Sequence, residues 1–205
     1  MQTQITLQDA VLVNFLTDAT TTALAEGVWR LAADLDVPEA DIQATMGLNI
    51  PKASIYAWGL PCAGDIAELA VRIQDRLGPL VRESFEATRL TAVNRLPGAS
   101  AGETPGYRYT VRTNITPGWE DELERWYDEE HLIDLASTRG AIGACRFICQ
   151  DTAPRFFALY DLIDPKVIEG EEWQVSRNKE WGRRVRPNFQ DTQRVMSRRL
   201  LDLGL

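Results

Sequence analysis

Leu96–Gly106, LPGASAGETPG, decides how this chain is divided. It concentrates Gly, Pro, Ser and Ala, a composition that favours a flexible connection over any regular element. Reading outward toward the N-terminus, Phe85 to Val93 has strand character, and Gly64 to Val81 carries Ile66, Leu69, Ile73, Leu77 and Leu80 at helical spacings of three and four. Before that, Ala53 to Leu60 and Ile42 to Leu48 read as strands separated by Asn49, Ile50 and Pro51. Thr21 to Leu35 reads as a helix stopped by Pro38, and Ala10 to Leu16 (AVLVNFL) is an apolar run of strand length. The order is β-α-β-β-α-β.

Outward toward the C-terminus the same order returns. Tyr107 to Ile115 is a strand, Pro117 to Thr138 a helix, Ala141 to Cys149 and Arg155 to Ile163 strands. Glu169 to Arg186 is a helix stopped by Pro187, and Thr192 to Leu200 a closing strand. The fold class is therefore α+β, with tandem ferredoxin-like repeats at 7–96 and 107–205 joined by a linker at 97–106. Each would be a four-stranded antiparallel sheet with both helices on one face. The other faces would be bare, and packing them together gives the dimeric α/β-barrel arrangement within one chain. The pattern also fits two independent domains on a linker.

Composition narrows the partners. The 205 residues carry a formal charge of −8, which disfavours nucleic acid because phosphate binding needs a basic face. No apolar run approaches the roughly 18 residues of a membrane span, and Met1 to Thr6 lacks a basic leader, so a cytoplasmic chain without a membrane partner is expected. Three cysteines, Cys62, Cys145 and Cys149, read as reduced thiols; Cys145 and Cys149, four apart, read as strand positions rather than zinc ligands, since that pair and the one histidine make only three of the four ligands a zinc site needs. No cofactor or metal is expected. The expected partner is a small, largely apolar substrate, and a homodimer of the pseudo-dimeric chain is left open.

The one histidine, His131, must carry any imidazole chemistry. Its helix is signalled by Thr116 as N-cap, Pro117 in the first turn, and Glu120, Asp121 and Glu122 at the positive end of the dipole; Arg139 and Gly140 signal its end. At about 100° per residue, Trp119, Leu123, Trp126 and Ile133 share an apolar arc, with His131 near its edge. Tyr127 and Asp134 lie between His131 and the arc, so imidazole, phenol and carboxylate form one stripe. Such a stripe can move a proton: Asp134 would orient His131, and Tyr127 would donate to a substrate oxygen. Glu130 falls inside the arc, where a carboxylate would be buried. The same spacing also suits an ordinary helix edge.

Trp126–Leu132, WYDEEHL, resembles the WYxxxH signature of EthD-like dimeric α/β-barrel proteins, on the first helix of a ferredoxin-like unit with Gly140 in the following turn. The strand FFALYD, containing Tyr160, and the helix with Trp173 and Trp181 are similar to that family's second half. The resemblance covers about Tyr107 to Leu200. It implies a cavity with His131 as acid/base, and cofactor-independent isomerase, cyclase, dehydratase or decarboxylase chemistry on an aromatic, lactone or polyketide-derived compound. The rival readings are a non-catalytic binder of hydrophobic small molecules and, from relatives sharing the barrel, haem binding through His131.

Three further features complete the reading. Alternation on Tyr107 to Ile115 puts Arg108, Thr110, Arg112 and Asn114 on one face, where Arg112 and Asn114 would bind a carboxylate or carbonyl, or form a salt bridge between sheets. Trp173, Arg177 and Trp181 read as helix packing, and Arg183, Arg184 and Arg186 as a solvated helix end. The first helix of the N-terminal repeat has Trp29 but no histidine, and 5 of the 17 Phe, Trp and Tyr residues precede residue 107 against 12 from residue 107 onward, so one working cavity is expected, in the C-terminal repeat.

Overall fold

A computed structural model of the chain describes residues 7, 9–35, 42–59 and 65–200. The elements are β1 (Ala10–Leu16), α1 (Thr21–Leu35), β2 (Ile42–Gly47), β3 (Lys52–Trp58), α2 (Ile66–Leu77), β4 (Glu83–Pro97) and β5 (Tyr107–Ile115). They continue with α3 (Glu120–Trp126), α4 (Leu132–Ala136), β6 (Ala141–Cys149), β7 (Phe156–Leu162), α5 (Glu171–Arg177), α6 (Glu180–Val185) and β8 (Phe189–Leu200). The hydrogen-bonded strand order, β1-β3-β2-β8-β5-β7-β6-β4, closes on itself as an antiparallel barrel. Closure leaves no edge strand to be capped.

The described residues fall into two compact units: an N-terminal unit of 9–91, 149–152 and 197–200, and a C-terminal unit of 92–148 and 153–196. The long strands β4 and β8 each pass from one unit into the other. In the N-terminal unit, β1 lies between β3 (Ala10↔Trp58 through Leu16↔Lys52) and β4 (Ala10↔Leu90 through Leu16↔Glu83). Six of its seven residues are buried, which is why AVLVNFL reads as a continuous apolar run rather than an alternating one. Val11, Val13, Phe15 and Ile55 of the sheet pack with Leu24, Val28 and Leu31 of α1 and Ile73 and Leu77 of α2. In the C-terminal unit, β5 pairs with β7 from Tyr107↔Leu162 to Thr113↔Phe156, and β7 pairs with β6.

The change of unit falls at Thr91/Ala92 inside β4, and 97–106 belongs wholly to the C-terminal unit. That segment is not a loose connection. Gly98 N donates to Ile142 O, Ala99 N to Ala136 O and Ser100 N to Ala141 O, each at 2.8 Å, and Gly140 N donates to Ser100 Oγ at 3.1 Å. A Cβ on Gly98 would stand 2.1 Å from Ala141 O, so the small residues serve close backbone approach rather than slack.

The expected helix over 117–138 begins later and is not uniform. Thr116 and Pro117 lie in a turn, with Trp119 N donating to Thr116 O at 3.0 Å, and α3 starts at Glu120. Between α3 and α4 the backbone widens into a π-turn over Tyr127–His131. The expected helix over 169–186 is two helices, because Asn178 Nδ2 donates back to Gln174 O at 2.8 Å and closes α5 before α6 begins. Cys145 and Cys149 are buried on β6, as strand positions imply, and burial pushes the Cys145 thiol up to about 11; Cys62 lies outside the described residues. Among the described residues no helix is long and apolar enough to cross a membrane, and no cluster of His, Cys, Asp or Glu could hold a metal ion.

Candidate functional site: an aromatic pocket at the π-turn

The π-turn decides where His131 points. In a regular α-helix, residues five apart diverge by well over a right angle, because each residue advances about 100°. Widening one turn brings such residues back toward one face. The His131 ring accordingly lies flat against Trp126, with centroids 4.0 Å apart and an interplanar angle of 15°, and Tyr127 meets it edge-on at 5.3 Å. His131 is only 7% exposed. The same shift turns Ile133 outward and Leu132 inward, so the apolar arc drawn at a constant 100° is wrong beyond Trp126. Glu130, placed inside that arc by the regular spacing, is half-buried and does not line the pocket.

Arg146 on β6 fastens the turn from below. Its guanidinium lies 4.6 Å from the centroid of the Tyr127 ring, and Nη1 donates to Asp128 Oδ1 at 3.0 Å, where Asn94 Nδ2 also donates at 3.0 Å. Trp126 is held from the other side by α6. A Cβ on Gly182 would come within 3.1 Å of the Trp126 ring, so only glycine leaves that approach unhindered. Gly140, at φ +92, ends the following turn as a left-handed residue, and its Cβ would clash with Val167 at 2.6 Å.

A cavity of about 40 Å³ opens beside His131 within the C-terminal unit. Its aromatic lining is Trp126, Tyr127, Tyr109, Tyr160, Trp173 and Phe189, and its polar lining adds Arg177, Arg186 and Arg194. Tyr109 and Tyr160 are cross-strand partners on β5 and β7, and Trp173 of α5 meets both rings edge-on at 6.2 and 5.2 Å. Three buried polar atoms in this lining have no hydrogen-bond partner: His131 Nδ1, Trp126 Nε1 and Tyr160 Oη. Burial first, then the charges of Arg186 and Arg177, push the His131 imidazole down to about 3, so it is neutral at physiological pH. Burial pushes the Tyr127 phenol up to about 12, leaving it protonated, and raises the Tyr160 phenol well above its ordinary value.

Of the residues singled out from the sequence, the structure brings together His131, Tyr127, Trp126 and Tyr160. The Asp134 carboxylate sits 2.6 Å from Lys179 Nζ, a partner other than the imidazole it was expected to orient. Arg112 and Asn114 lie off the pocket, because the odd-numbered residues of β5, Tyr109 and Val111, line it and alternate residues point to opposite sheet faces. Arg112 Nε donates to Pro154 O at 3.2 Å; Asn114 donates to Asp191 and accepts from Arg155 N. On that face Arg108 makes a two-pronged ion pair with Asp161 at 2.9 and 3.0 Å.

Sequence reasoning missed Tyr109, Trp173, Arg177, Arg186 and Arg194. The available signal was an arginine-rich C-terminal stretch in an acidic chain, read as a solvated helix end. Arg184 does pair with Glu122 at the surface, but Arg186 is half-buried on the pocket wall, with Nε donating to Gly182 O at 3.0 Å. Trp181 leaves the Trp173–Arg177 stripe because the helix breaks, and its Nε1 donates to Glu122 at 2.9 Å.

A haem does not fit beside His131. The imidazole lies flat on Trp126, and its Nδ1 lacks the hydrogen-bond partner that fixes a ligating histidine.

No family model and no curated protein matches the chain. Solved structures do, and they define the fold class as the ferredoxin-like α/β barrel. A monooxygenase candidate from Fusobacterium nucleatum aligns with TM-score 0.65 at 8% identity, covering 97% of this chain and 94% of that one. An anthrone oxidase-like protein aligns with TM-score 0.63 at 13% identity, covering 95% and 92%. A haem-degrading enzyme from Listeria monocytogenes aligns with TM-score 0.57 at 6% identity, covering 93% and 98%. At these identities the likeness is one of fold.

Proposed function

We propose that the C-terminal pocket binds a small enolisable or phenolic carbonyl compound and that His131 takes its proton. The observation that carries this reading is the imbalance of the lining: a single buried, neutral imidazole able to accept, among the indole N–H of Trp126, the phenols of Tyr127 and Tyr160, and three guanidiniums. A proton leaving carbon for the imidazole leaves its electron pair on the substrate as an enolate, and these donors stabilise the oxyanion where it forms. His131 gains basicity as the enolate approaches, because the new negative charge opposes the arginines that depress it. The enolate can be reprotonated at another carbon or can pass electrons to dioxygen. The second outcome agrees with the monooxygenase and anthrone oxidase names of the structural neighbours and takes precedence over the isomerase, cyclase and lyase readings. Proton removal itself needs no group beyond these side chains. The EthD-like WYxxxH resemblance supports the same role for His131, and the two ferredoxin-like runs are read as a tandem duplication that kept this chemistry in one copy. Asp134, engaged by Lys179, receives no role.

The test follows exchange of the acidic methylene protons of anthrone into D2O by NMR, with dioxygen uptake recorded separately. Wild-type protein is expected to accelerate exchange, and His131→Ala to reduce that acceleration by about 10²- to 10⁴-fold, the usual cost of a lost general base. A folded His131→Ala protein with undiminished exchange overturns the assignment. A non-catalytic carrier is the second reading, favoured by an imidazole held at about 3, a weak base at rest; it predicts anthrone binding without accelerated exchange.

A further inference from the structure

The pocket carries three arginines, Arg177, Arg186 and Arg194. Arg177 and Arg186 are half-buried and Arg194 is exposed, so positive charge gathers at the solvent-facing rim while Trp126, Tyr127, Tyr160 and Trp173 form the buried wall. No carboxylate lines the pocket, and none of the three is in an ion pair with Asp or Glu among the described residues. Arg186 is held in place by Gly182 O at 3.0 Å and Asn178 Oδ1 at 3.4 Å, and its fork is therefore preorganised rather than adrift. Burial and the neighbouring charges of Arg177, Arg194 and Arg183 disfavour its charged form, a repulsion that an entering anion relieves.

We propose that the ligand of this pocket is a small aromatic acid whose carboxylate is bound by Arg186 with Arg177 and Arg194, while its ring lies against the aromatic wall. Planar guanidinium forks match a carboxylate in two-point contact, and the orphaned donors Trp126 Nε1 and Tyr160 Oη add acceptor-seeking groups to the same lining. With a resting volume of about 40 Å³, the half-buried arginine side chains must shift as a ring enters. This inference deepens the proposed site: it rests on the pocket being the ligand site and is independent of proton transfer by His131.

The probe is salicylate, compared with its methyl ester and with inorganic phosphate by titration calorimetry on the full chain. Salicylate is expected to bind at least about tenfold tighter than methyl salicylate, as one charge-assisted hydrogen bond implies, and to weaken as sodium chloride rises. Arg186→Gln removes that preference. Because Arg186 also ties α6 to its neighbours, the exposed Arg194→Gln is the second variant and is expected to reduce the preference with the fold intact. Equal binding of acid and ester, no binding of salicylate, or a preference that survives both substitutions overturns the proposal. Phosphate competing as well as salicylate reduces the cluster to a general anion site and overturns the aromatic-acid class. The two readings separate cleanly: a retained preference for salicylate with unchanged anthrone exchange in His131→Ala removes the base and keeps the acid site, whereas equal binding of acid and ester by the wild type, with exchange lost in His131→Ala, removes the acid site alone.

Discussion

The helix-side cores of the two units differ in chemistry. In the N-terminal unit that core is aliphatic apart from Phe15, built from Val11, Val13, Leu24, Val28, Leu31, Ile55, Ile73 and Leu77, and every one of them is 1% exposed or less. In the C-terminal unit the corresponding core mixes Trp126, Tyr127, Tyr160 and Trp173 with a buried imidazole and unpartnered donors. Branched aliphatic side chains interdigitate without residual space or residual polarity. Large rings packed edge-on leave a crevice, and their N–H and O–H groups need partners that packing alone does not supply. One core is closed by its own packing, and the other leaves unpartnered polar atoms beside a cavity.

The largest expected effect separates packing from chemistry. Trp126→Ala should cost about 3–5 kcal/mol in denaturant unfolding, because a fully buried indole leaves a cavity and His131 loses its stacking partner. Leu31→Ala in the N-terminal unit should cost about 2–5 kcal/mol yet leave salicylate affinity unchanged; a loss of affinity would show that the aliphatic core shapes the site. Acid titration gives the next contrast. His131 is neutral in the folded chain down to about 3, but protonates near 6.5 when unfolded. The unfolded state therefore binds the extra proton, and stability falls as pH drops below the unfolded value. Between about pH 7 and about pH 5 the wild type should lose roughly 2 kcal/mol relative to His131→Gln, measured as the difference between their unfolding free energies. Equal pH slopes would mean an imidazole that is hydrated or paired. The smallest effect concerns Asp134. Its ion pair with Lys179 is partly exposed, so Lys179→Ala should cost at most about 1 kcal/mol and leave anthrone exchange intact. A large loss of exchange in Asp134→Asn would restore the carboxylate to the orienting role that its spacing suggested.

Several elements were legible because local rules suffice for them. Thr21–Leu35, Tyr107–Ile115 and Ala141–Cys149 have the bounds that periodicity and punctuation gave. His131, Tyr127, Trp126 and Tyr160 were also found, since they are chemically distinctive residues on strongly patterned segments. The misplaced candidates failed for one reason each. Asp134 and Glu130 were projected with a constant helical twist through a π-turn that no propensity marks. Arg112 and Asn114 share the face of β5 opposite the pocket, because alternation separates two faces without saying which one carries a cavity. The arginines of the rim were discounted because a basic helix end is ordinarily solvated, and nothing local distinguishes Arg186 from Arg184.

By itself the sequence determined the order and kind of elements, an α+β chain with helices on its strands, and one position for imidazole chemistry. These follow from periodicity, capping and composition, which are properties of neighbouring residues. The tertiary structure alone decided that the eight strands close, that 97–106 is pinned rather than loose, that the helix widens beneath His131, and that residues from β5, β7, β8 and the last helices meet around it. Those outcomes depend on contacts between segments far apart in the chain, where packing, burial and charge act on groups that no short window contains.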